Sequence, residues 1–225
     1  MKLKYYSHSA FRITADSGTT ILIDPFFTGN PTSPVKADEV TADYIILTHA
    51  HGDHVGDSIQ IAKRCNSKFI AVFELANYLE SKGLNAHPMH IGGSRQFDFG
   101  RLKFTMAMHG TATPEGTYAG LVAGVILTID GVTLYHTGDT GLFYDMKLIG
   151  EMNNIDYMCL PIGDNFTMGI EDAVKAVELV DPRFAIPMHY NTFPIIEADP
   201  MEFKKQLEYI NKTGIVLDYG KEIEL

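Results

Sequence analysis

The chain has 225 residues, of which 45% are hydrophobic and 20% charged, a composition that supports one compact core and excludes a disordered or fibrous polypeptide. Its formal charge of −10, from 18 Lys and Arg against 28 Asp and Glu, repels polyanions, so no nucleic-acid partner is expected. No apolar run is long enough to span a bilayer, the N-terminal residues lack the apolar segment of an export signal, and Cys65 and Cys159 are too few for a disulfide framework. These features predict a cytoplasmic protein with free thiols and no membrane association, in which any metal chemistry rests on His and carboxylates.

In chain order, alternating and β-branched runs predict strands at Lys2–Tyr6, Ala10–Ala15 and Thr20–Asp24, with Asp16-Ser17-Gly18 as a turn, which together make a β-meander. A Pro- and Phe-bearing loop, residues 25–35, leads to a short buried strand at Tyr44–Thr48. A helix is predicted over Val55–Cys65, a strand over Lys68–Val72 and a helix over Glu74–Lys82, stopped by Gly83. Strands resume at Leu102–Met108, Leu121–Ile129 and Val132–Tyr135. Asp130-Gly131 between the last two is a hairpin signal, because a type I′ turn needs positive φ at both positions. The remainder alternates: strand Tyr157–Leu160, helix Glu171–Val180, strand Arg183–Met188, helix Met201–Ile210 and strand Ile215–Leu217. No repeat, low-complexity tract or linker divides the chain, so residues 1–225 are expected to form a single α/β domain.

The densest chemical signal is Thr48-His49-Ala50-His51-Gly52-Asp53-His54, directly after a predicted strand. In extended chain, residues two apart point the same way, so His49 and His51 can share one ion; a helical turn beginning at Gly52 would let Asp53 and His54 serve a second. His109, Asp139 within Thr137-Gly138-Asp139-Thr140-Gly141, and His189 each follow another predicted strand, and open α/β sheets gather ligands at such ends. Asp24, closing its strand before Pro25, is a candidate to hydrogen-bond a ligating imidazole or else a turn cap. His8 suits a proton donor or substrate contact, and equally a surface histidine. His136 reads as structural or as support for a ligand, His87 and His90 as peripheral. The loops Thr111–Gly116, Asp164–Gly169 and Thr28–Pro34 lie near strand ends where they can wall a pocket, while Phe166 and Met168 read as packing residues.

This pattern resembles the metallo-β-lactamase superfamily of metal-dependent hydrolases, in the run His49/His51/Asp53/His54, in His109, in Asp139 within its Gly-Asp-Thr turn, in His189, and in the strand-ending Asp24. Ser7-His8-Ser9-Ala10-Phe11 and Pro187-Met188-His189-Tyr190 are similar to the metal-dependent hydrolases related to the ascorbate-6-phosphate lactonase branch. The resemblance implies a four-layer αββα sandwich with the site along one edge. It implies that His49, His51 and His109 bind one metal ion, that Asp53, His54 and His189 bind a second, and that Asp139 bridges both. Asp53 and His8 are then the candidate catalytic residues.

Imidazole and carboxylate ligands suit Zn²⁺, Mn²⁺ or Fe²⁺, and zinc is favoured. Two such ions lower the pKa of a held water from 15.7 to about 7 and polarise a substrate, so the expected reaction is attack of that hydroxide on a small-molecule lactone, ester, amide or phosphoester, anionic substrates included. The competing expectations are a nuclease or cyclic-nucleotide phosphodiesterase of the same superfamily, a single-iron oxygen-using enzyme, and a metal-binding scaffold without turnover.

Overall fold

A computed structural model describes residues 1–225 and shows two β-sheets packed face to face with helices on both outer surfaces, the expected αββα order. In the first sheet β1 (Lys2–Ser7), β2 (Ala10–Thr14) and β3 (Thr20–Ile23) pair antiparallel as the predicted meander. The chain continues through β4 (Tyr44–Ile46), α1 (Gly52–Val55), α2 (Ser58–Cys65), β5 (Lys68–Val72), α3 (Phe73–Ser81) and β6 (Ala86–Met89), with β3 to β6 parallel. The second sheet begins antiparallel with β7 (Ser94–Phe97), β8 (Gly100–Met106), β9 (Ala123–Ile129) and β10 (Val132–His136). After α4 (Met146–Met152) it turns parallel through β11 (Tyr157–Pro161), α5 (Ile170–Val180) and β12 (Phe184–Met188). Helix α6 (Pro200–Tyr209) packs beside α5, and β13 (Glu222–Glu224) crosses back to edge the first sheet along β1.

The two-residue period of each strand sorts its side chains between two apolar clusters. Along β9, Ala123, Val125, Leu127 and Ile129 join the large cluster between the sheets, while Ile126 faces the helices. Along β11, Cys159 points between the sheets and Met158 and Leu160 point to α4–α6. Sheets covered on both faces read as near-continuous apolar runs, which is why these strands are visible in the sequence. Asp130 and Gly131 both have positive φ, 51° and 79°, as the hairpin prediction requires.

Several expectations need correction. The helix predicted over Val55–Cys65 is broken at Gly56, whose φ of 40° and ψ of −120° end α1. Residues 215–217 form no strand: Gly214 makes an isolated bridge to Ala185, after which the chain leaves that edge for the other sheet. The short strands β6, β7 and β13 and helix α4 add to the expected elements. Residues 94–97 and 222–224 are largely exposed and polar, so they lack the apolar alternation that marks a strand. Cys65 and Cys159 are both free thiols, and no helix is long and apolar enough to cross a membrane.

Candidate metal centre

The loops that follow β1, β3, β4, β8, β10 and β12 converge at one edge of the sandwich, and backbone bonds between the sheets fix them there. The Ala123 amide donates to the Thr48 carbonyl at 2.9 Å, and the His189 amide to the His8 carbonyl at 2.8 Å. Gly138, at φ 64°, lets the Asp139 turn pass against the neighbouring strand; a Cβ there would stand 2.6 Å from the Ala123 carbonyl oxygen. His136 ties the same turn to the β1–β2 corner. Its Nδ1 accepts from the Gly138 amide at 3.2 Å, so its Nε2 carries the proton given to the Ser9 carbonyl at 3.1 Å. His136 is therefore a structural staple.

All seven predicted ligands meet at this edge. His49, His51 and His109 bring ring nitrogens within 4.8 Å of one another, and so do the side chains of His8, Asp53, His54 and His189. Asp139 lies between the groups: its Oδ2 is 3.2 Å from His54 Nε2, 3.0 Å from His189 Nε2 and 3.8 Å from His109 Nε2. His49, His54, Asp139 and His189 are buried, whereas His51, Asp53 and His109 are half-exposed and so mark the mouth.

The hydrogen bonds behind these side chains settle which ring nitrogens carry protons. Asp24 can only accept; its Oδ2 takes the Thr48 hydroxyl proton at 2.6 Å and the His54 Nδ1 proton at 2.8 Å, and its Oδ1 takes the Thr48 amide at 2.9 Å. Thr48 has one proton and gives it to Asp24, so its oxygen accepts from His49 Nδ1 at 3.0 Å. Both rings thus turn Nε2 into the site, the atom that would offer its lone pair to an ion once any proton there is displaced, the arrangement by which carboxylates orient ligating imidazoles. His49 Nε2 faces His51 Nδ1 at 3.0 Å, and two nitrogens so close need a proton or a cation between them.

Ionisation follows from burial and these neighbours. Burial pushes the His49 imidazole well below its ordinary value, and the charge of His54 adds to the effect. Burial also opposes charge on His54, but Asp139 and Asp24 outweigh it and hold that ring protonated. Burial resists ionisation of Asp53 and Asp139 too. The hydrogen bond from His8 for Asp53, and the charges of His189 and His54 for Asp139, overcome it and keep both carboxyls well below the usual range. In the metal-free chain a proton on His54 therefore sits among carboxylates where a cation is wanted.

His8 is not a surface histidine. It is fully buried, with Nε2 3.2 Å from Asp53 Oδ2 and Nδ1 2.9 Å from the Thr192 hydroxyl, and burial reinforced by His189 pushes its pKa down to about 4. Phe26 and Phe193 stand edge-on to its ring at 5.7 and 5.9 Å. His8, Asp24 and His189 all have positive φ, at 55°, 45° and 53°, a conformation costing of order 1 kcal/mol or more that clusters at functional positions. Thr48 and Thr192, which set the proton positions on His49 and His8, are not among the expected site residues. Thr48 is flagged only by its place in the motif, and Thr192 depends on backbone turns at His189 and Asn191 that the sequence does not announce. His87 packs on Phe97 and His90 stacks on Phe73, away from the site. Of the predicted wall loops, Thr111 accepts from the Ala50 amide at 3.0 Å, and the β3 loop is held by Asp57, which accepts from the Phe27 and Thr28 amides at 2.8 Å.

The donor set fits divalent cations. His54 Nε2, both ring nitrogens of His189, and Asp139 Oδ1 are buried without a well-formed hydrogen bond, although the two Nε2 atoms stand 3.2 and 3.0 Å from Asp139 Oδ2. Buried polar atoms are ordinarily satisfied, so a cluster of orphans with ligand chemistry is the mark of a group that completes it.

The chain is similar over its whole length to known proteins. Residues 19–190 match the family model described as a β-lactamase superfamily domain. A UPF0173 metal-dependent hydrolase of Bacillus cereus is 54% identical, with each chain covered in full. Igni18, a metallo hydrolase from the archaeon Ignicoccus hospitalis, superposes with a TM-score of 0.91 at 37% identity, covering 100% of this chain and 98% of that one. An isothiocyanate hydrolase from Delia radicum gut bacteria shares the fold at a TM-score of 0.78 and 19% identity, with 100% and 99% covered. Matched along its whole length by sequence and by fold, the chain belongs to the β-lactamase superfamily and, within it, to the UPF0173 metal-dependent hydrolases.

Proposed function

We propose that this metal-dependent hydrolase uses two divalent ions, zinc in the first instance, to hydrolyse a small-molecule ester, lactone, amide or phosphoester. The observation that carries the proposal is the convergence of the buried His54 and His189 Nε2 atoms on Asp139 without a well-formed hydrogen bond to either of them. His49, His51 and His109 would hold one ion, Asp53, His54 and His189 the other, and Asp139 would serve both. Bound there, the ions supply an acidified water and an electrophile for the scissile group.

The protein's own residues do the rest. Asp24 and Thr48 keep protons on the Nδ1 atoms of His54 and His49, so that Nε2 is the atom each ring would offer to an ion. His8 is neutral near pH 7; Asp53 can only accept from its Nε2, so Thr192 donates to its Nδ1. His8 then acts through Asp53, fixing the carboxylate at the mouth. The half-exposed side of the site, at His51, Asp53 and His109, is where substrate enters.

The test is hydrolysis by zinc-, manganese- and iron-loaded protein against lactones, esters, thioesters, amides and phosphodiesters, with labelled RNA and DNA titrated at about 150 mM salt. Metal-dependent turnover of a small molecule lost in His51→Ala supports the proposal. Micromolar nucleic-acid binding with strand cleavage abolished by the same substitution would install the nuclease reading in its place.

A further inference from the structure

The loops that build the site share a property beyond their ligands. Residues 7–9, 24–35, 47–57, 107–122, 137–146, 162–170 and 189–200 contain none of the chain's 18 Lys and Arg residues. The first cation after Asp24 is Lys36, at a 3-10 turn, and Lys82 reaches the β8–β9 loop only to pair with Glu115 at 3.7 Å. The same loops carry Glu115, Asp145, Asp164, Glu197 and Asp199 besides the site's own carboxylates. An anionic group held away from the metal ions would thus find neither a guanidinium nor an ammonium, the groups that bind phosphate and carboxylate.

These loops offer apolar surface instead. Phe26 and Phe193 lie half-buried with ring centroids 6.4 Å apart beside His8. Met108, next to His109, is 54% exposed although its amide is anchored on the Thr140 hydroxyl at 2.9 Å. Phe166 is also 54% exposed, in a loop that the Met168 amide ties to the Thr140 carbonyl at 3.0 Å, one residue from Asp139. Ile195, two residues from Phe193, is 58% exposed. These apolar side chains sit on the same anchored loops that carry the ligands, and exposed apolar surface beside a polar centre marks a binding face.

Resting on the dinuclear hydrolase reading, we propose that the substrate is uncharged away from its scissile bond and carries an alkyl or aryl group that packs on Phe26, Met108, Phe166, Phe193 and Ile195. The ions take the reacting group, and this rim takes the remainder by burial alone. Each buried methylene then contributes about three- to fourfold in affinity, the equivalent of about 0.8 kcal/mol.

The experiment is calorimetric titration of zinc-loaded protein with three hydroxamic acids that share a head group: acetohydroxamic acid, octanohydroxamic acid and its ω-carboxylate. Octanohydroxamic acid should bind at least about tenfold tighter than either of the others. Phe166→Ala should reduce that advantage while leaving acetohydroxamic acid unchanged. An ω-carboxylate that binds as well as the plain chain would overturn the proposal alone. Failure of acetohydroxamic acid itself would remove the metal-site reading and this proposal with it. Concentration-dependent self-association abolished by Phe166→Ser, with no chain-length dependence, would make the rim an interface between copies and overturn the proposal.

Discussion

Replacing Asp24 by Asn isolates the part of the site that prepares imidazoles for metal. The amide is isosteric and tolerates the positive φ of position 24, so the backbone has no reason to move. Its oxygen can still accept the Thr48 amide, now at 2.9 Å, but its NH₂ would then face the His54 Nδ1 proton across the present 2.8 Å bond and the Thr48 hydroxyl across 2.6 Å. Two donors cannot face each other, so His54 must give up its Nδ1 proton and hold one on Nε2, the atom that has to offer a lone pair when an ion binds. Loss of such a supporting carboxylate costs about 10–100-fold in metal affinity, or about 1.4–2.7 kcal/mol. The metal-free protein loses about 1–3 kcal/mol through the mismatched buried donors. Competition with a chromophoric zinc chelator measures the first effect, and urea denaturation of metal-free protein the second. Asp24→Asn protein that held two ions with wild-type affinities would refute the tautomer argument.

Other substitutions probe separate links. Asp139→Ala should lower turnover more than His8→Ala, because Asp139 faces both ligand groups while the His8 ring hydrogen-bonds only Asp53 among the ligands; steady-state kinetics with metal quantified on each variant decides the order. Gly56→Ala should destabilise the fold by about 1–3 kcal/mol or more by denaturant titration, since the position has φ 40° and a Cβ would lie 2.4 Å from the Pro25 carbonyl oxygen. Burial lowers the His136 pKa in the native state, so as pH falls below about 6.5 the unfolded chain takes up a proton that the native chain does not, and stability falls with it. His136→Gln, whose amide can still reach the Ser9 carbonyl, should flatten that slope by up to about 1.4 kcal/mol per pH unit between about pH 7 and 5 in metal-free protein. An unchanged slope would show that His136 is not the group responsible.

The strands that carry ligands were legible because both of their faces are buried: the runs before Asp24, His49 and His189 are almost wholly apolar. Ligand identities were legible because metal chemistry restricts them to a few side chains, and each ligand-bearing loop starts directly at a strand end. Less visible were features fixed by distant contacts. β13 is a strand because β1 offers it an open edge, not because Glu-Ile-Glu favours one. His8 looks like any histidine in a turn, and its burial depends on the loop bearing His189 and Thr192, more than 180 residues away along the chain, closing over it. The Asp24–Thr48–His49 relay is likewise tertiary, since only the parallel pairing of β3 with β4 sets Asp24 beside Thr48.

If the seven side chains gathered by the loops after β4, β8, β10 and β12 form one dinuclear centre, metal stoichiometry should show it. Elemental analysis of protein purified without chelator and then equilibrated with Zn²⁺ or Mn²⁺ should approach two equivalents per chain, falling to one or fewer in Asp139→Ala. Saturation at one equivalent in the wild-type protein, unchanged by excess of either ion, would mean that the seven side chains do not form a dinuclear centre.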